Sequence, residues 1–329
     1  MGVAQMQKKL DVVFTIDENY IQHFCVACTS LLENNKNIGR IFVVHDINQS
    51  NKKLIKAIKY LEEKYNATIK MLTLDSKVLE NFKITHHISK ATYFRLLLSE
   101  ILPNDVDSVM FLDSDIVVVG SLDYILELDF LREDNIYMTY HDGSNDTSHL
   151  TNYEYYIYAV DHGYSNNDLA RLKKLGFKGH KYFNAGIMYI NLKKWRDDNI
   201  AEVLMDNAQK YNEHLVWWDQ DVLNLVFDGK WGELDYSFNA FGLEEKNERQ
   251  NYKNYKIIHY TGSSKPWHFR NNHPYKHLYW KYLRMTPFKR YIPEDLTLLN
   301  LIKWLIPNSI KNFIKNLIME KKIKNKKNY

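Results

Sequence analysis

Short hydrophobic runs alternate with amphipathic stretches through the first third of the chain. Asp11 to Ile16 (DVVFTI) reads as a buried strand, followed by a helix that runs to about Asn34. Arg40 to His45 is a second strand, Lys52 to Tyr65 an amphipathic helix and Thr68 to Leu74 a third strand. This alternation predicts a parallel sheet covered by helices on both faces. Ile88 to Ile101 then reads as a helix carrying Tyr93 and Arg95, and Pro103-Asn104-Asp105 leads into the apolar run from Val109. A further strand, Ile136 to Tyr140, ends in His141-Asp142. Gly143 to Lys181 is polar and Tyr-rich, the profile of a binding loop or lid. Phe183 to Ile190 is a strand entered through Asn-Ala-Gly, small residues that let a ligand approach the backbone. Asn191 starts a helix, Asp219-Gln220-Asp221 opens another, and Lys256 to Tyr260 is the last strand.

The chain is organised around Val109 to Val119 (VMFLDSDIVVV). Its apolar run ends abruptly in two carboxylates one residue apart, which reads as a buried strand whose tip delivers charge to a cleft. In an open α/β sheet that edge is where ligands bind. Residues i and i+2 point the same way on an extended backbone, so Asp113 and Asp115 can converge on one hard cation. The bland reading is a solvated Asp-Ser-Asp turn. His259, at the end of the final strand, can supply a third ligand, the bland reading being a histidine satisfied by hydrogen bonds there, and mixed carboxylate and imidazole ligation suits Mn2+ better than Ca2+. After it, Gly262-Ser263-Ser264 offers N–H groups to phosphate oxygens and Lys265 adds a point charge.

Composition narrows the class further. The 329 residues are 45% hydrophobic and 26% charged, enough to bury a sizeable core. The 24 tyrosines and 7 tryptophans are a weak pointer to carbohydrate stacking. Cys25 and Cys28 have no second pair to complete a zinc cage and read as small buried helix residues, and two thiols suit a reducing compartment. No Gly-x-Gly-x-x-Gly follows the first strand and no phosphate-binding Gly-x-x-x-x-Gly-Lys-Ser/Thr occurs, which removes dinucleotide and P-loop chemistry. No apolar run approaches the roughly 18 residues of a spanning helix.

The net charge of +4 belongs to one end. From Trp304 to Tyr329 there are seven lysines and one acid, a net +6, and the remaining 37 basic and 39 acidic residues sum to −2. A nucleic-acid-binding face on the body is therefore not expected. Ile310, Phe313, Ile314, Leu317 and Ile318 recur at helical spacing before the basic run Lys321 to Lys327, so residues 308–329 read as an amphipathic basic segment lying on an anionic membrane. The expected organisation is a catalytic domain over 1–270 and a helical, lysine-rich segment over 271–329. The expected location is cytoplasmic, peripheral on the inner face of the membrane.

Over about residues 10 to 270 the chain resembles glycosyltransferase family 8, in the blocks VVFTIDENY, ATYFRL, FLDSDIVVVGSL, YFNAGIMYINLKKW, DQDVLN and HYTGSSKPWH. Among members it looks most like bacterial lipooligosaccharide galactosyltransferases and general-stress-type glycosyltransferases. The resemblance implies a single α/β domain of the GT-A type, with a mixed, mainly parallel nucleotide-binding sheet flanked by helices. It implies retaining transfer of a hexose from a UDP-sugar, with Mn2+ or Mg2+, to a glycan, glycolipid or glycoprotein acceptor. Asp113, Asp115 and His259 would bind the metal. Asp17 and Asn19 would grip the uracil and ribose with Thr15 beneath the base, and Arg95 would lie near the diphosphate or sugar. Ser114 would sit with the donor, Gly262 and Lys265 would hold the diphosphate, and Asp142, Asn184, Ala185, Asp219 and Gln220 would line the donor sugar. Gln220, Asp219 and Lys265 are then the catalytic candidates. At the position facing the sugar Gln220 is an amide and a poor nucleophile, which favours front-face attack over a covalent glycosyl-enzyme.

Three other readings compete. An apolar strand followed by Asp-x-Asp also fits aspartyl-phosphate phosphatases, but more than a hundred residues precede the motif here. A self-glycosylating primer resembling glycogenin would need a surface acceptor tyrosine. A sensor would bind UDP-sugar without turnover.

Overall fold

The computed structural model describes residues 8–74, 91–130, 154–243 and 251–306. Its main sheet is seven-stranded among these residues, in the order β3-β2-β1-β4-β7-β6-β8. Strands β1 (Leu10–Ile16), β2 (Ile38–His45) and β3 (Thr68–Thr73) are joined through helices α1 (Ile21–Asn34) and α2 (Lys52–Tyr65). All three run parallel with one another and with β4 (Ser108–Leu112). Local chemistry sets the ends of α2: the Asn51 side chain accepts from the N–H groups of Lys53 and Leu54, and Asn66 closes it at φ +51°.

The second half departs from a purely parallel plan. β6 (Ile157–Asp161) and β7 (Phe183–Asn191) pair with each other antiparallel, and β7 also runs antiparallel to β4. β8 (Trp231–Glu233) closes the edge parallel to β6. Because β7 enters where β4 leaves, Asn184, Ala185 and Gly186 lie beside Asp113 at the ligand edge, and the Asp113 N–H donates to the Gly186 carbonyl at 2.8 Å.

Alternation along β1 builds two cores. Val12 and Phe14 face α1, where Phe14 meets Phe24 edge-on at 5.1 Å, while Val13 joins Phe42, Val44 and Phe111 on the opposite face. That opposite face is covered by α3 (Ala91–Phe94), α4 (Leu98–Ile101), α6 (Leu192–Asp197), α7 (Ile200–Tyr211) and α8 (Trp218–Val226). Cys25 and Cys28 are buried on α1 with free thiols. A separate two-stranded sheet, β5 (Ile116–Val118) with β9 (Ile257–His259), packs with α9 (Lys276–Leu283) on the outer side of α1.

Three expectations need correction. The stretch around Asp113 spans two strands in different sheets, β4 before the acid pair and β5 after it. Residues 143–181 are not a continuous loop: residues 157–161 form β6, and α5 (Asn166–Lys174) starts at a Ser165/Asp168 capping box. The helix expected through Ile101 is interrupted at Arg95–Leu97 by a 3-10 turn between α3 and α4. The strand Ile136–Tyr140, Asp142 and the periodic tail from Ile310 lie outside the described residues, as does residue 88 to 90 of the expected helix. A further helix, α10 (Leu298–Leu305), precedes that tail.

Candidate active site

The site lies where the two sheets meet. Asp113 follows β4, Asp115 immediately precedes β5 and His259 ends β9, and one ligand atom from each falls within 4.8 Å of the others. His259 Nε2 is 3.2 Å from Asp115 Oδ1 and 3.9 Å from Asp113 Oδ2. Two observations fit this set to a small cation. The floor is Gly186, where an added Cβ would stand 2.3 Å from His259 Cε1 and 2.7 Å from Asp113 Oδ2. Between the acids, Ser114 is buried and its Oγ has no hydrogen-bond partner among the described residues. Two hard carboxylates with one imidazole suit Mn2+ or Mg2+ better than a soft metal.

Charges around the acids are asymmetric. Lys265 Nζ lies 2.5 Å from Asp115 Oδ2 and 2.8 Å from the Tyr260 carbonyl. Burial opposes ionisation of Asp115, but Lys265 and then His259 overcome it and hold that carboxyl far below the usual range. For Asp113 burial prevails over Arg95 and pushes the carboxyl up. Arg95 Nη2 meets Asp113 Oδ1 at 2.9 Å, Nη1 donates to the Ala185 carbonyl at 2.9 Å, and the guanidinium lies over the Phe111 ring. Its Nε is 2.9 Å from Asp219 Oδ2, so one buried cation spans both carboxylates. Burial raises Asp219 to about 6, with Arg95 pulling the other way.

Gln220 is aimed by backbone. Its Oε1 accepts from the Ala185 N–H at 3.0 Å and from Asn184 Nδ2 at 3.2 Å, while its Nε2 donates to the Tyr182 hydroxyl at 3.3 Å. Asp221 turns away and is itself fully buried, where it meets Arg171, accepts from the Tyr182 hydroxyl at 2.7 Å, and accepts from the N–H groups of Val216 and Trp217. Those bonds brace the following residue, Trp218, at φ +42°, a conformation costly for a bulky side chain.

The remaining predicted residues divide. Asn184 and Ala185 border the acid cluster, and Gly262, at φ +79°, makes the turn that brings Lys265 back over Asp115. Thr15, Asp17 and Asn19 sit at the carboxyl end of β1; the Asp17 carboxylate caps the turn after it, accepting from Asn19 N–H at 2.8 Å and Tyr20 N–H at 3.2 Å. Sequence reasoning missed Asn239, which bridges Asn184 and His259 from a 3-10 turn at Tyr236–Asn239. Nothing local distinguishes it, since its partners are 55 and 20 residues away.

Comparison with known proteins agrees with this arrangement. A lipopolysaccharide 1,2-glucosyltransferase of Escherichia coli is 30% identical over 274 residues, covering 80% of this chain and 74% of its own. General stress protein A of Bacillus subtilis is 26% identical over 298 residues, covering 84% of this chain and 94% of its own. The crystal structure of the galactosyltransferase LgtC, in complex with donor and acceptor sugar analogues, superposes with a TM-score of 0.69 at 24% identity, over 87% of this chain and 98% of that one. This likeness establishes the GT-A fold. The profile of glycosyl transferase family 8 matches residues 11–271, and the chain belongs to that family as a glycosyltransferase.

Proposed function

We propose that the chain transfers a hexose from a UDP-sugar to a saccharide, lipid-linked or protein-linked acceptor, with retention at the anomeric carbon. The observation that carries this reading is the convergence of Asp113, Asp115 and His259 on one point at the ligand edge, over the Gly186 floor. These three residues would hold Mn2+ or Mg2+. Bound there, such an ion neutralises developing charge on a departing nucleoside diphosphate.

The chain's own groups do the rest. Thr15, Asp17 and Asn19 would receive the uracil and ribose at the end of β1, next to the acid loop in the sheet. Gly262 and Lys265 would meet the diphosphate, and Ser114, between the two acids, would sit with the donor. Arg95, Asn184, Ala185, Asp219 and Gln220 form a continuous polar wall suited to the donor hexose, and Asp142 completes our donor-site set. The relatives' names include both glucose and galactose, so either is a reasonable donor sugar. Gln220 is committed through Oε1 to two donors, which supports a positioning role and front-face attack.

We divide the chain into a catalytic domain over 1–270 and a segment over 271–329 that reaches an anionic membrane at the cytoplasmic face. Among the described residues no helix is long and apolar enough to cross a membrane. In support, α10 leaves Leu298, Leu299 and Leu305 exposed immediately before the lysine-rich residues.

The deciding experiment is release of UDP from a panel of UDP-sugars with Mn2+ and no acceptor, in which water replaces the acceptor. Release from one donor, lost in Asp113→Ala, is the expected result. Release that survives Asp113→Ala would remove the cation site from the reaction.

A further inference from the structure

A buried row of amides has a direction that the backbone dictates. The Gly186 N–H can only donate, and it donates to Asn184 Oδ1 at 3.0 Å. Asn184 therefore shows an acceptor to Asn239, and the Asn239 atom 2.9 Å from it must be the Nδ2 amide. Asn239 Oδ1 is then left facing His259 Nδ1 at 2.9 Å. A carbonyl oxygen accepts, so Nδ1 must carry the hydrogen. The other end of the row agrees: the Ala185 N–H fixes Gln220 Oε1, to which Asn184 Nδ2 donates, so Asn184 has the same orientation from both sides.

From this juxtaposition we infer that Asn239 is a positioning residue for His259, fixing its hydrogen on Nδ1 and presenting Nε2 to the cation site. The inference rests on the cation reading proposed above and adds a residue outside the Asp113, Asp115 and His259 set that acts through His259. Both Asn239 and His259 are buried, Asn239 fully, so water does not compete for the Nδ1 hydrogen. The reversed arrangement, the only one in which Asn239 could donate to a bare Nδ1, would set two amide oxygens against each other at Asn184, whose own orientation the Gly186 N–H fixes. Holding the imidazole in this way orients a ligand and raises its basicity, as carboxylate or carbonyl partners do at other metal-ligating histidines.

The test begins with the native protein. In 15N-histidine-labelled protein, with His259 identified by the signal missing from His259→Gln, a one-bond hydrogen coupling at Nδ1 is expected before and after saturation with diamagnetic Cd2+. An Nδ1 without hydrogen overturns the inference, whatever any variant does. Mn2+ titration followed by electron paramagnetic resonance then compares Asn239→Leu with Asn239→Asp. The leucine variant should bind Mn2+ about 10- to 100-fold more weakly. The aspartate variant keeps an oxygen that accepts from Nδ1 but sets its second oxygen against Asn184 Oδ1, so it should bind Mn2+ more weakly than the native protein and more tightly than the leucine variant. Equal affinity in the leucine variant overturns the inference. Absence of Mn2+ uptake by the native protein would count against the proposed function, and the Nδ1 measurement would still decide this point.

Discussion

Arg95 Nε stands 2.9 Å from Asp219 Oδ2, and neither side chain is more than 9% exposed. The same guanidinium reaches Asp113, so its removal strands the buried Asp219 and the half-buried Asp113 in one place. Arg95→Met is therefore expected to cost about 3–5 kcal/mol of folding stability, the usual result of breaking a buried pair from one side. Urea unfolding measures it, and a loss below about 1 kcal/mol would show that water reaches the pair.

Gly186→Ala adds a methyl group where His259 and Asp113 already stand. Overpacking of this kind costs about 1–3 kcal/mol, less than the fold needs to collapse, but the three ligand atoms cannot keep their spacing. Calorimetric titration should show Mn2+ binding lost while the circular dichroism spectrum is retained. Retained metal affinity would place the ion elsewhere.

His273 is buried, its Nδ1 accepts from the Tyr275 N–H, and burial lowers its pKa to about 4. The unfolded chain takes up this proton near 6.5 and the folded chain only near 4, so stability is complete above pH 6.5 and falls as pH drops towards 4. The loss attributable to His273 is on the order of 3 kcal/mol. Unfolding free energies at pH 7 and 4.5 should differ less in His273→Asn than in the native protein, and an equal difference would clear His273 of the effect.

Gln220→Ala removes the acceptor for the Ala185 N–H and for Asn184. Turnover should slow by roughly 10- to 100-fold, the equivalent of the 1–3 kcal/mol for hydrogen bonds left unmade. Mass spectrometry of the intact enzyme should find no covalent sugar. A glycosylated enzyme that accumulates with donor alone would overturn front-face attack.

Leu298→Asp with Leu299→Asp tests the exposed face of α10. Co-sedimentation with phosphatidylglycerol vesicles should fall at least about tenfold, since each leucine buried in the interface contributes on the order of 1.5–3 kcal/mol. Deleting residues 308–329 should weaken it further. Unchanged sedimentation in both variants would detach this end of the chain from the membrane reading.

What was legible in the sequence had short range. Apolar runs closed by residues able to ligate a cation pointed to Asp113, Asp115 and His259, which the fold brings together because strand ends in an α/β sheet share one edge. The Ser165/Asp168 capping box that starts α5 was also present as a signal, but the surrounding polar residues masked it. The 3-10 turn at Arg95 was not visible, because the partners that engage its guanidinium, Ala185, Asp113 and Asp219, come from other elements. Asn239 was hidden for the same reason: its importance lies in a backbone N–H at Gly186, more than fifty residues away.

The acid pair also works as a seam. Asp113 follows β4 of the seven-stranded sheet, whereas Asp115 leads into β5 and His259 ends β9 of the small sheet that carries α9 on its far side. A ligand that bridges them binds only when both sheets are docked, so it stabilises the docked form in proportion to its affinity. Exchange of the amide hydrogens of Val117 and Ile258 with solvent thus reads out that docking, and occupancy at the edge is felt in the outer layer.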